Sequence, residues 1–188
     1  MRREIGEIDP ARVRANLERV RERIAAAGRD PAEVEVCAAV KYLPAAQLPA
    51  LAEAGVWLVG ESRAQDLVGK HALHGDLFEW DFIGALQSRK VSDVAPLARV
   101  IHSVASSSAL ARLARHGARE VFVQVNVAGE PGKAGIAPEE LAGFIAACPV
   151  PVSGLMTMPP FTEQPESSRP HFARLAELAA EHGLTRLS

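Results

Sequence analysis

Cysteine and aromatic residues are both scarce in this chain of 188 residues. Its two cysteines, Cys37 and Cys148, lie far apart and lack the short spacing of a zinc or redox motif. We therefore expect no disulfide framework, and two isolated thiols fit a reducing compartment. Aromatic residues make up 5% of the chain, which disfavours a surface that stacks nucleic-acid bases.

The chain also lacks an excess of one charge and a long apolar run. The formal net charge is −2, and without a basic stripe we expect no nucleic-acid binding. The charged N-terminal segment has no apolar core of a secretory signal, and no apolar run approaches the ~20 residues of a membrane span. Hydrophobic residues make up 48%, as in ordinary globular proteins. We expect a cytoplasmic protein that does not bind membranes.

Several motifs that would indicate a particular chemistry are missing. No GxGxxG or GxxxxGK[ST] loop follows an apolar segment, so the usual dinucleotide and P-loop sites are not predicted. No GxSxG elbow supports a hydrolase. His71 and His74 share one helix face, but no carboxylate stands beside them, so we interpret this face as solvated and expect no metal site.

What the chain does contain is a regular alternation of strand-like and helix-like segments. A helix is predicted over residues 10–28, and the apolar first strand, residues 34–40, is expected to be buried on both faces. About six β/α units follow one another, and residues 184–188 resemble the start of a seventh strand. The pattern predicts a parallel α/β fold. A doubly wound sheet and a (β/α)8 barrel both fit, and the short regular units favour the barrel, which usually needs about 250 residues.

Lys41 ends the first predicted strand and is the only amine among the residues at strand ends. Ligands of parallel α/β proteins bind at these ends. Partial desolvation there would lower the pKa of a lysine, and a neutral amine can form a Schiff base with an aldehyde. The alternative is that Lys41 simply extends into solvent. His102 is a second candidate for ligand contact, and one of Met156 and Met158 is expected to pack in the core.

Four segments resemble, in order, the pyridoxal phosphate homeostasis proteins, the single-domain relatives of the alanine racemase barrel. They are AAVKYLPAAQLPALAEAGVWLVGESRAQD, WDFIGALQSRK, FVQVNVAGEPGKAGI and SGLMTMPP, and the resemblance covers about residues 10–188. It implies a (β/α)8 TIM-barrel fold with an extra N-terminal helix, incomplete here with about six β/α units. We expect one cofactor-binding barrel domain over residues 1–188, C-terminally truncated relative to the family.

The resemblance also implies a function. Family members bind pyridoxal 5'-phosphate through a Schiff base to the lysine that ends the first strand, here Lys41, and carry or buffer the cofactor without a settled catalytic activity. No catalytic or metal-binding residues are therefore expected. The implied partners are the cofactor and pyridoxal-phosphate-dependent apoenzymes, and a monomer is expected. The expected cofactor-binding residues are Lys41, Glu61, Ser62, Gln87, His102, Asn126 and Met156.

The chain departs from the family pattern at a few positions. Ser62 stands where the family usually has Asn, and Ala105 where it usually has Asp. Leu187 and Ser188 resemble the start of the family's phosphate-holding Ser-Met-Gly-Met-Ser motif, of which nothing further is present. A six-stranded open barrel would expose the edges of its first and sixth strands, so we expect weak stability or association through these edges.

Two other functions stay open beside the carrier. One is a racemase-like enzyme, although racemases of this type need a second domain and a second base, and the single tyrosine, Tyr42, adjoins Lys41. The other is a truncated form with impaired cofactor binding.

Overall fold

A computed structural model describes residues 6–188. Its contacts divide the chain into two compact units, one ending at Asp81 and the other running Phe82–Ser188. Parallel strands alternate with helices in both units, and within each unit the strands follow one another in chain order. The predicted α/β alternation is confirmed, with six β/α units and a seventh strand in the described residues.

The first unit opens with a helix. Its helices are α1 (Pro10–Ala26), α2 (Leu48–Glu53) and α3 (Ala64–His74), and its strands are β1 (Ala38–Ala39), β2 (Leu58–Glu61) and β3 (Glu79–Phe82), the last crossing the unit boundary. Helix α1 starts where the sequence predicts, because Asp9 Oδ1 accepts a hydrogen bond from the Ala11 amide and Pro10 occupies the first turn. No helix of residues 6–188 is both long and apolar enough to cross a bilayer.

Strand β1 differs from its prediction. Only Ala38–Ala39 form the strand, Ala38 is half-buried and Ala39 is exposed, so the expectation of a long strand buried on both faces is wrong. The reason is its position, since β1 lies at the end of the strand order and pairs with β2 alone among the described strands. Strand β2, with neighbours on both sides, is buried along its whole length.

Helix α2 is short, with only six residues. A 3-10 turn, Ala45–Gln47, precedes it, and Pro49 lies in its first turn. A proline is tolerated there because the first helical N–H groups have no partner within the helix. The helical turns after β1 are thus divided into a 3-10 turn and α2, with the division next to Pro49.

The second unit repeats the β/α pattern. Its strands are β4 (Val100–Val104), β5 (Glu120–Gln124), β6 (Val152–Met156) and β7 (Arg186–Leu187), and its helices are α4 (Val91–Val94), α5 (Ser107–His116), α6 (Leu141–Ala146) and α7 (Arg169–Glu181). One hydrophobic cluster joins the helix-facing sides of β5 and β6 to α6 and α7. Its buried members are Val123, Val125, Ile136, Leu141, Leu155, Leu175, Leu178 and Ala179.

Strand β7 covers the edge of β6. Gly154 pairs with Arg186 and Leu155 with Leu187, and the Ser188 amide donates to the Leu155 carbonyl at 2.9 Å. The expectation that the sixth strand is an open edge is therefore wrong, because the short C-terminal segment already pairs with it.

Candidate functional site

A tight turn follows β1 and carries Lys41 at its centre. The Val40 carbonyl accepts a hydrogen bond from the Leu43 amide at 2.9 Å, which closes four residues with Lys41 and Tyr42 in the middle. The Val40 amide donates to the Gly60 carbonyl on β2, also at 2.9 Å. Val40 and Leu43 are buried, whereas Lys41 and Tyr42 are exposed. Anchored at both ends, the turn presents the lysine outwards.

The Lys41 ammonium has no acidic partner in the described part of the chain. Its Nζ lies 5.1 Å from the centroid of the Tyr42 ring. The expected partial desolvation is wrong, because the side chain extends from the outer side of the turn and is exposed. A small-molecule aldehyde could therefore reach this amine directly from solvent.

A buried ion pair lies behind the turn. Lys70 Nζ is 2.5 Å from Glu61 Oε1 and 2.7 Å from the Val40 carbonyl oxygen, and the two side chains are 10% and 0% exposed. Glu61 Oε2 accepts a hydrogen bond from the Ser62 amide at 2.6 Å. Both carboxylate oxygens are thus engaged with protein groups. The cofactor contact expected of Glu61, and that of half-buried Ser62, stay predictions.

Lys70 is missing from the candidates predicted from the sequence, because ligand contacts were expected at the ends of strands and Lys70 lies on a helix. Lys70 lies on α3, where Ala64, Leu67 and Lys70 follow one another at three-residue intervals and are all buried. A lysine on the apolar face of a short helix is therefore a signal that the sequence did contain.

In the second unit, His102 and Ser188 come together. His102 Nδ1 lies 2.9 Å from Ser188 Oγ, and the imidazole packs against the ring of Phe122 with centroids 4.7 Å apart. The Arg186 guanidinium lies over the same ring at 5.1 Å and pairs with Glu120 at 2.6 Å. His102 is buried and Ser188 is exposed. An exposed hydroxyl beside an imidazole can donate hydrogen bonds to a phosphate, so these residues suit such a group.

Asn126 organises the loop that follows β5. Its side-chain amide donates to the Glu130 carbonyl at 2.9 Å, and its Oδ1 accepts from the Glu130 amide at 3.3 Å. Lys133 in the same loop forms an ion pair with Glu130 and donates to the Met158 carbonyl at 3.4 Å. Both ends of the Asn126 amide therefore serve the loop itself, and its cofactor contact stays a prediction.

Gln87 and Met156 complete the set expected from the sequence. Gln87 is exposed, and its Oε1 accepts a hydrogen bond from Arg89 Nε at 3.2 Å. Met156 ends β6, where it is 6% exposed and pairs with Gln124 of β5, whereas Met158 is 64% exposed. The expectation that one of the two methionines packs in the core is confirmed, and the cofactor contacts of Gln87 and Met156 stay predictions.

Of the two histidines that share a face of α3, His71 packs against an aromatic ring. The His71 ring lies 5.8 Å from the Trp80 ring, centroid to centroid. Across residues 6–188, no group of three or more His, Cys, Asp or Glu side chains is arranged to hold a metal ion.

Comparison with known proteins identifies several relatives. Residues 8–186 match the profile of the family described as "Alanine racemase, N-terminal domain". The pyridoxal phosphate homeostasis protein of Aquifex aeolicus is 34% identical over 175 residues, covering 88% of this chain and 77% of that protein. Its counterpart in Pseudomonas aeruginosa is 37% identical over 176 residues, covering 88% and 76%.

A solved structure agrees with these sequence matches. PipY of Synechococcus elongatus, solved with pyridoxal phosphate bound, has a TM-score of 0.72 and 29% identity, covering 89% of this chain and 87% of that chain. The likeness and the strand order together confirm the predicted fold class, which is that of the alanine racemase N-terminal barrel.

Proposed function

Because the chain belongs to the family of pyridoxal phosphate homeostasis proteins, we propose that it binds pyridoxal 5'-phosphate and carries or buffers this cofactor. When bound, the cofactor supplies an aldehyde that condenses with a lysine amine to a Schiff base, and a phosphate that needs hydrogen-bond donors. Lys41 is the proposed attachment site. The observation that carries this assignment is that Lys41 alone, of the four lysines, has no ion-pair partner among the described residues.

The other three lysines are each held by a carboxylate. Lys70 is buried against Glu61, and Lys133 pairs with Glu130. The third pair joins Lys90 Nζ to Asp93 at 3.0 Å, and this hydrogen bond lowers the pKa of the Asp93 carboxyl. An ammonium paired in this way must give up its partner before its nitrogen can attack an aldehyde. Lys41 has no such barrier.

The remaining site residues are proposed from the family resemblance. Glu61 ends β2, the strand that pairs with β1, and Ser62 follows it directly. His102 is proposed to contact the cofactor, and its partner Ser188 supports this with an exposed hydroxyl of the kind that phosphate accepts. The further proposed contacts are Gln87, Asn126 and Met156.

We propose a carrier and not a turnover enzyme, with pyridoxal-phosphate-dependent apoenzymes as recipients in the cytoplasm. Tyr42 supports this view, since the chain's single tyrosine shares one turn with Lys41 and its ring contacts the Lys41 ammonium. It is therefore poorly suited to act as a separate second base. A racemase-like enzyme is the alternative, and it predicts that L-alanine added to the loaded protein becomes racemic, which polarimetry would detect.

The proposal also covers assembly. We propose that residues 1–188 act as one cofactor-binding domain and that the protein is a monomer whose route of association is the side of β1 that pairs with no other described strand. Light scattering over a range of concentrations tests this point. Concentration-dependent association that the substitution Ala39→Pro abolishes would support edge pairing, and a stable dimer unaffected by that change would contradict it.

Reductive trapping tests the attachment site. The protein is incubated with pyridoxal phosphate, reduced with borohydride, and digested so that mass spectrometry locates the modified lysine. We expect the label on Lys41 and its loss in Lys41→Ala, while Lys90→Ala, the matched control, keeps it. A label distributed evenly over Lys41, Lys90 and Lys133 would overturn the assignment.

A further inference from the structure

The turn that presents Lys41 starts at a carbonyl oxygen that accepts two hydrogen bonds. The Val40 oxygen accepts the Leu43 amide, which closes the turn, and the Lys70 ammonium, which reaches it from α3 at 2.7 Å. A hydrogen bond from a charged donor is stronger than one between neutral groups, and this one is buried. Lys70 therefore braces the residue directly before Lys41.

Glu61 stabilises the buried Lys70 ammonium that makes this contact. A buried ammonium without a counter-charge is strongly unfavourable, and Glu61, itself fully buried, supplies the counter-charge at 2.5 Å. Its second oxygen holds the Ser62 amide at the end of β2. One buried ion pair thus joins three elements, namely α3, the end of β2 and the turn after β1.

The Glu61 carboxylate is not an ion-pair partner of Lys41. Both Glu61 oxygens are engaged, one by Lys70 and one by the Ser62 amide. The carboxylate at the end of β2 therefore has no oxygen left without a protein partner.

We propose that Lys70 and Glu61 are positioning residues for Lys41, in that their buried ion pair fixes the Val40–Leu43 hydrogen-bonded turn. This role rests on the proposed function of Lys41. Lys70 is not among the proposed cofactor contacts, and the positioning role of both residues acts through the backbone groups that they hold.

The experiment uses the double substitution Glu61→Gln/Lys70→Met, which removes both charges and leaves no unpaired buried ion. The carboxamide oxygen introduced by Glu61→Gln can still accept the Ser62 amide, so the bonds lost are those that Lys70 makes to Glu61 and to the Val40 carbonyl. The first readout is hydrogen exchange of the Leu43 amide in cofactor-free protein. We expect exchange about tenfold faster, the size that a lost hydrogen bond to a charged donor implies.

The second readout is reductive trapping of pyridoxal phosphate at limiting cofactor. We expect the label on Lys41 to fall about tenfold, while thermal unfolding stays cooperative. The control is Lys90→Met/Asp93→Asn, which removes a half-buried ion pair of the other unit and should change neither readout. If Glu61→Gln/Lys70→Met loses its cooperative transition, Glu61→Gln/Lys70→Gln is measured instead, since two amides can bond to each other there.

The two readouts separate the two proposals. Unchanged Leu43 exchange and unchanged Lys41 labelling in a folded double variant would overturn the positioning role. Faster Leu43 exchange in a protein whose wild-type form never carries label on Lys41 would overturn the proposed function instead, and with it the positioning of a reactive lysine, while supporting the brace on the turn.

Discussion

Two loops of this protein each follow a parallel strand and carry a lysine, yet they are built in different ways. The turn after β1 is braced by a buried ion pair on its first carbonyl, and its own Lys41 has no ion-pair partner among the described residues. The loop after β5 is closed by the neutral Asn126 side chain, and its Lys133 pairs with Glu130 at the surface. In the first case the acid is bound by a lysine of another element, and in the second it is bound by the loop's own lysine.

The difference extends to energetics. A charge pair removed from water is stable only as a pair, whereas a surface pair contributes little because water and salt screen it. The side chains of Lys133 and Glu130 are 34% and 39% exposed, against 10% and 0% for Lys70 and Glu61. The first turn therefore depends strongly on one interaction, and the second loop does not.

The largest expected effect comes from breaking one partner of each pair. Lys70→Met should lower the free energy of unfolding by about 3–5 kcal/mol, because it leaves the Glu61 carboxylate buried and unpaired. Lys133→Met should lower it by less than about 1 kcal/mol. Chemical denaturation of both variants measures the two values, and similar losses would mean that burial does not distinguish the loops.

The second effect concerns the backbone of the loop after β5. Gly135 has φ 120°, and a Cβ there would lie 2.6 Å from the Asn126 nitrogen, whereas Gly132, at φ 76°, has nothing within 4 Å of its would-be Cβ. Gly132→Ala should lower the free energy of unfolding by about 1–2 kcal/mol, because alanine disfavours the left-handed conformation. Gly135→Ala should lower it by about 1–3 kcal/mol more, because its Cβ would also clash with the Asn126 backbone. Equal thermal shifts for the matched pair would show that the close approach is not needed.

The smallest effect is on labelling. Glu130→Gln removes the acid that holds Lys133 and should raise the share of trapped pyridoxal phosphate on Lys133 a few-fold, with Lys41 still the main site. Peptide mass spectrometry after borohydride reduction measures this share. Asp93→Asn serves as the control, since it should raise labelling at Lys90 and leave Lys133 unchanged. No gain at Lys133 would indicate that pairing is not what protects it.

The fold was largely predictable because its signals are local. Apolar segments at regular spacing, the Asp9-Pro10 start of α1 and the proline in the first turn of α2 all act within a few residues. The predictions that were wrong concern the edges of the strands. Burial of β1 and exposure of the edge of β6 depend on which strand lies alongside, and spacing within a segment carries no information on that.

The candidate site also contains features that local sequence spacing predicts and features that it does not. Lys41 could be found from its place at the end of an apolar segment, and the surface pairs Lys90–Asp93 and Glu130–Lys133 follow from their three-residue spacing. The Glu61–Lys70 pair could not be found in this way, because its partners lie nine positions apart on a strand and a helix. The contact between Ser188 and His102 could not be found either, because the two residues are 86 positions apart.

The order of residues along the chain is enough to determine the β/α alternation, the family and the lysine at the end of the first strand, because hydrophobic periodicity and motif spacing are properties of neighbouring positions. Folding alone decides which lysine is available. That outcome depends on which acids meet which amines after α3 packs beside β2, and on burial, which turns the Lys70–Glu61 contact from a weak surface interaction into the brace behind Lys41.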